Sequence, residues 1–99
     1  MNANFPFDRV PPLWIYWENA ADTWRRPEYI NLCIETIQRH CRHSFAIVVV
    51  TPKNLDAYLP ELRRDLMAGI SLTQKSDIIR LELLATYGGV WINPDVIVV

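Results

Sequence analysis

The stretch Phe45–Thr51, FAIVVVT, constrains this chain more than any other part of it: it is uncharged, rich in valine, and stopped at once by Pro52. Such a run is too short for a buried helix, and β-branched side chains favour the extended backbone. It reads as a strand covered on both faces, which calls for helices on either side of a sheet.

The flanking pattern agrees. After a lead marked by Pro6, Pro11 and Pro12, Leu13–Trp17 (LWIYW) has the aromatic and β-branched density of a brief buried strand, followed by a polar loop over Glu18–Arg26. Pro27 suits the first turn of a helix, and Ile30, Cys33, Ile34, Ile37 and Cys41 then recur at helical spacing. Strand, helix and strand in this order predict a right-handed βαβ unit.

Beyond it, Leu55, Tyr58, Leu59, Leu62 and Leu66 allow one or two short helices interrupted at Pro60 and ended by Gly69. A second strong helix, capped by Thr73 or Ser76, is predicted to reach Tyr87, with Ile78, Leu81, Leu84 and Ala85 as its buried stripe and Gly88-Gly89 as its stop. Val90–Ile92 then reads as a third strand, broken by Asn93-Pro94-Asp95 before an extended run, Val96–Val99. With no repeat and no linker, the 99 residues make one α/β unit, its sheet mostly parallel.

Composition narrows the function classes. A chain 51% hydrophobic and 21% charged is expected to fold, and a net charge of -1 lacks the basic field that nucleic acid rewards. The cluster Arg39, His40, Arg42 and His43 closes the first helix, where cations suit the carbonyl end. Cys33 and Cys41 lie roughly 12 Å apart along that helix, too far for a disulfide, and read as reduced core residues. No signal peptide and no apolar stretch of membrane-spanning length is visible, so a cytoplasmic protein is expected.

Open α/β sheets bind ligands outside the carboxyl ends of their strands, where Trp17-Glu18, Thr51 and Asn93-Pro94-Asp95 fall. Asp77 and Arg80, three apart on the second helix, share a face close to Lys75 and Ser76. From spacing alone, an exposed ion pair of little energetic weight is the better reading of these two.

The run Lys75–Asp95, KSDIIRLELLATYGGVWINPD, resembles the sugar-nucleotide-binding segment of DXD-containing glycosyltransferases, in particular the capsular polysaccharide synthesis proteins and the related mannosyltransferase-like family. Those families join a Ser-Asp-x-x-Arg helix to a Tyr-Gly-Gly-x-Trp/Tyr-x-Asp-x-Asp strand end and open with an aromatic strand like Leu13–Trp17, so the resemblance covers almost the whole chain. It implies a partial GT-A (Rossmann-like) nucleotide-sugar-binding unit, mostly parallel sheet with flanking helices. It also implies transfer of a sugar from a nucleoside diphosphate sugar in polysaccharide or glycan synthesis.

By the same resemblance, Asp77 would contact ribose or sugar hydroxyls, Arg80 would hold the sugar or phosphate, and Trp17, or failing it Trp14, would stack on the base. Asp95 would bind Mn²⁺ or Mg²⁺, with Asn93 beside it in the donor site. Asn93 stands where the motif has its first aspartate and brings a carbonyl but no charge, which weakens the cation's hold. No residue reads as a catalytic base, and acceptor recognition is expected beyond Val99, as in a domain truncated after the DXD-like motif. A fragment, a remnant and a compact domain completed by another chain all fit that ending, and an open sheet edge over Ile97–Val99 would favour a homodimer. Two alternatives stand beside the transferase: a non-catalytic binding or assembly module on the same fold, and a plain α/β domain without a ligand.

Overall fold

The computed structural model describes residues 10–19 and 25–95. Three strands, β1 (Pro12–Tyr16), β2 (Ala46–Val50) and β3 (Val90–Trp91), form a parallel sheet in the order β2-β1-β3. Between β1 and β2 lies α1 (Glu28–Cys41). Between β2 and β3 lie α2 (Leu55–Tyr58), a 3₁₀ turn (Arg64–Met67) and α3 (Leu72–Tyr87). The expected small α/β unit with a parallel sheet and flanking helices is therefore present.

All five residues of β1 are buried, and strand alternation divides them between two cores. Leu13 and Ile15 pack with Ile30, Ile34 and Ile37 of α1, whereas Trp14 and Tyr16 pack with Leu55, Leu59, Ile79 and Leu83 on the opposite side. The sheet is thus a middle layer between α1 and the α2–α3 segment. Trp14, which was the fallback choice for stacking on a base, is wholly buried: its indole N–H donates to the Gly88 carbonyl at 2.9 Å, and its ring lies 5.3 Å from Tyr87 and 5.5 Å from Tyr58. It is a core residue with no face for a ligand.

The valine-rich strand differs from expectation. β2 is only half-buried up to Val50, because it pairs with β1 on one side and, among the described residues, forms the edge of the sheet on the other. Its backbone groups at Ala46 and Val50 turn to β1, so those of Val49 and Thr51 point outward. There the Asn54 side chain takes the place of a neighbouring strand, donating to the Val49 carbonyl at 3.0 Å and accepting from the Thr51 N–H at 2.7 Å.

The first helix follows its sequence pattern, with Pro27 as N-cap and Ile30, Cys33, Ile34 and Ile37 buried; both cysteines are free. The second needs correction. Its cap is Ser71 rather than Thr73 or Ser76, in a reciprocal capping box with Gln74. Its buried residues are Ile79 and Leu83, with Leu84 only partly buried, while Ile78 and Leu81 are 37% and 63% exposed and Ala85 is exposed. The helix is apolar on more than one side, so periodicity alone allows several phases, and packing against β1 selects one of them.

Gly88 and Gly89 have φ of 74° and 95°, a region that suits glycine. The close approach at Gly89 is to the protein itself, since a Cβ there would overlap the carbonyl and ring of Pro12 at the start of β1. The run Val96–Val99, with the dimer edge expected on Ile97–Val99, lies outside the described residues. Gly89→Ala is expected to destabilise the fold by at least ~2 kcal/mol, because strain and overlap add. Gly69→Ala, at φ 87° but facing open space, should cost only about 1 kcal/mol; urea denaturation of both variants checks the difference.

Candidate functional site

α3 runs antiparallel to the strands: its first turn meets Glu18 beyond the end of β1, and Gly88-Gly89 return to Trp14 and Pro12. The amino end of α3 and the carboxyl ends of the strands therefore share one edge. The strand order reverses beside β1, which puts the topological switch point between β1 and β3 at that edge.

A cleft of about 780 Å³ opens at the same edge, on the β1–β2 side next to the start of α1, lined by Trp17, Glu18, Arg25, Arg26, Thr51 and Lys53, with further polar groups from Asn19, Glu28 and Asn31. Trp17 is half-buried. Its body packs on the α1-side core and its indole N–H donates to Asn19 Oδ1 at 2.7 Å, which holds the ring in one orientation. Arg25 pairs with Glu28 at 3.5 Å in a solvent-exposed contact, so this wall sets basic side chains and one carboxylate next to an oriented aromatic ring.

Alternation along the extended chain carries Trp17 to the α1 side and sends Glu18 to the side of Tyr16 and α3. There the Tyr16 hydroxyl donates to Glu18 Oε1 at 2.7 Å, and Lys75 Nζ lies 3.1 and 3.3 Å from the two carboxylate oxygens. The Glu18 and Lys75 side chains are 24% and 26% exposed, which makes this the most shielded ion pair among the described residues. Lys75 stands at the head of the line Lys75, Ile79, Leu83, Tyr87, whose four-residue spacing faces the sheet.

Electrostatics at Glu18 balance opposing effects. Burial, the largest, pushes its carboxyl up, but the hydrogen bonds from Tyr16 and Lys75 and the charges of Lys75 and Arg64 together hold it below the ordinary carboxylate value. The Tyr16 hydroxyl is pushed well up, by burial first and then by its bond to the Glu18 carboxylate.

Of the five expected site residues, Trp17 alone lines this cleft. Asp77 and Arg80 lie further along α3, off its sheet-facing line, and pair with each other at 3.3 Å with side chains 56% and 41% exposed. Asn93 and Asp95 lie on the turn after β3, where Asn93 Oδ1 accepts the Trp91 indole N–H at 3.1 Å. Among the described residues no hydrogen bond or ion pair joins these four to Trp17, and no three of His, Cys, Asp and Glu converge on a possible metal position. Sequence reasoning missed the Glu18–Lys75 pair. The signals for it were the alternation of β1 carried on to residue 18 and the four-residue line on α3.

These are the features of a small parallel α/β domain with a polar cleft at the carboxyl edge of its sheet. A family model for capsular polysaccharide synthesis proteins matches residues 2–98, and this chain belongs to that family. Membership points to a role in capsular polysaccharide synthesis. No curated protein and no solved structure matches the chain. No helix among the described residues is long and apolar enough to cross a membrane.

Because the folded chain holds the Glu18 carboxyl below its ordinary value, the pair stabilises at neutral pH and loses that effect as the pH falls through the lowered value. Glu18→Gln should therefore cost about 1–2 kcal/mol at pH 7. The gap from the unaltered chain should close in acid, as followed by urea denaturation across a pH series.

Proposed function

We propose that this chain carries the donor half of a glycosyltransferase site of GT-A type, which takes a nucleoside diphosphate sugar for polysaccharide or glycan assembly. The observation that carries the reading is the cleft: an oriented indole, Trp17, beside Arg25, Arg26 and Lys53 at the carboxyl edge of the sheet. An aromatic face suits a nucleobase and basic side chains suit its phosphates. Asp77 and Arg80 would serve the sugar and ribose once the donor separates their mutual ion pair, and Asn93 would offer a neutral acceptor.

Mg²⁺ or Mn²⁺ sites that serve phosphates often take one or two carboxylates and complete their shell with substrate oxygens and water. Asp95 would supply one such carboxylate to a cation shared with the donor, and the donor's own oxygens would have to provide most of the remaining shell. When bound, that cation would neutralise charge on the departing diphosphate. This chain's own part is to hold the base at Trp17 and the diphosphate next to the basic wall.

A second reading, a non-catalytic binding module on the same fold, is favoured by one observation. The Asn93 side-chain carbonyl, which replaces a charged motif position, is already engaged by Trp91.

Calorimetric titration with UDP and GDP, with and without Mn²⁺, tests the donor site. One nucleotide should bind, Trp17→Ala should weaken it about tenfold or more, and Asp95→Ala should abolish whatever part depends on Mn²⁺. Failure of both nucleotides to bind the folded chain would overturn the donor reading.

A further inference from the structure

Glu18 lines two cavities at once. One is the Trp17 cleft; the other is a smaller space of about 230 Å³ enclosed by Tyr16, Leu55, Arg64, Met67 and Lys75. The smaller space holds two cations, a hydroxyl and a single carboxylate, so its positive charge is only half matched from within.

Neither cation is fully committed. Lys75 has three N–H donors, and the Glu18 carboxylate takes up two at most. Arg64 reaches the Pro52 carbonyl and the two Asp56 oxygens only at 3.4 Å, long for charge-assisted bonds, and it remains 43% exposed. On the other side of the sheet edge, Asp95 is a lone carboxylate next to a neutral Asn93, a thin set with which to recruit a divalent cation. The positive charge that a diphosphate needs is better supplied here by side chains.

We propose that Lys75, backed by Arg64, is a diphosphate-binding cation of this chain, and that Glu18 is its internal stand-in for the ligand. The carboxylate holds the ammonium at the cleft wall and releases it when a diphosphate enters from the Trp17 side. The inference rests on reading that cleft as a nucleoside diphosphate site and adds a subsite that works without metal. It sets Glu18 apart from a mere brace: a brace would make its removal harmful to fold and binding alike, whereas a competitor's removal harms the fold and improves binding.

The test titrates inorganic pyrophosphate and, in parallel, UDP into the purified chain in EDTA, with the melting temperature of each variant recorded. The unaltered chain should bind pyrophosphate. Lys75→Met should weaken it about tenfold or more, and Lys75→Arg should keep it within about threefold. Glu18→Gln should tighten it about threefold to tenfold despite a lower melting temperature, since a like charge leaves the site. Arg42→Gln, at the far end of α1, controls for net charge and should change nothing. Should Glu18→Gln fail to fold, the Lys75 pair of variants decides.

Pyrophosphate affinity unmoved by Lys75→Met, or falling with the melting temperature in Glu18→Gln, would overturn the proposal, as would a folded unaltered chain that takes up no pyrophosphate. UDP binding that persists undiminished in Lys75→Met keeps the nucleotide cleft and removes this subsite. Lys75-dependent pyrophosphate binding by a chain that takes up neither UDP nor GDP, in EDTA or with Mn²⁺, keeps the subsite and removes the nucleotide reading.

Discussion

Everything in this domain depends on the burial of β1 from both faces and both edges. Its five residues pair with β2 along their length and with β3 at Leu13 and Trp14, so among the described residues it is the strand with a neighbour on each side. Leu13 and Ile15 give α1 its floor, and Trp14 and Tyr16 do the same for α3. Each fully buried apolar side chain of this kind is worth about 1.5–3 kcal/mol. In a chain of this size, a handful of them in one strand is a large part of what opposes chain entropy.

The alternation that divides the cores also lays out the cleft. Continued beyond the last ladder residue, it places Trp17 against α1 and Glu18 towards α3, so consecutive residues serve opposite sides of one edge. Tyr16 links the two tasks, with its ring in the core and its hydroxyl on the Glu18 carboxylate. On α3 the same economy appears at Lys75, the polar head of an otherwise apolar line that contributes Ile79, Leu83 and Tyr87 to the core. Core and site are therefore mechanically joined, and a shift of α3 along β1 would move the lysine and the packing together.

The chain belongs to the capsular polysaccharide synthesis family, and its polar cleft lies at the carboxyl edge of the sheet. The charged residues of the motif run are spread along that edge rather than gathered. Asp77 and Arg80 neutralise each other on the helix surface, and Asn93 is tied to Trp91. Trp17 and Glu18, by contrast, are held in place by Asn19, Tyr16 and Lys75.

Much of the fold was legible in the residues themselves because its signals are local. A run like AIVVV bounded by proline, an amphipathic period from Ile30 to Cys41 and a Gly-Gly helix stop each act within a few residues. The βαβ order and the carboxyl-edge position of Trp17, Asn93 and Asp95 follow from them. Tertiary structure alone decided which side of α3 is buried, since Ile78, Ile79, Leu81, Leu83 and Leu84 offer several apolar faces and only contact with Trp14 and Tyr16 selects Ile79 and Leu83. It also decided that β2 is an edge plugged by Asn54, that Gly89 is required by Pro12, and that Glu18 meets Lys75 across 57 positions of sequence. Local signals determine what each segment becomes, but a charge finds its partner only when two distant segments are packed, and no spacing along the chain encodes that distance.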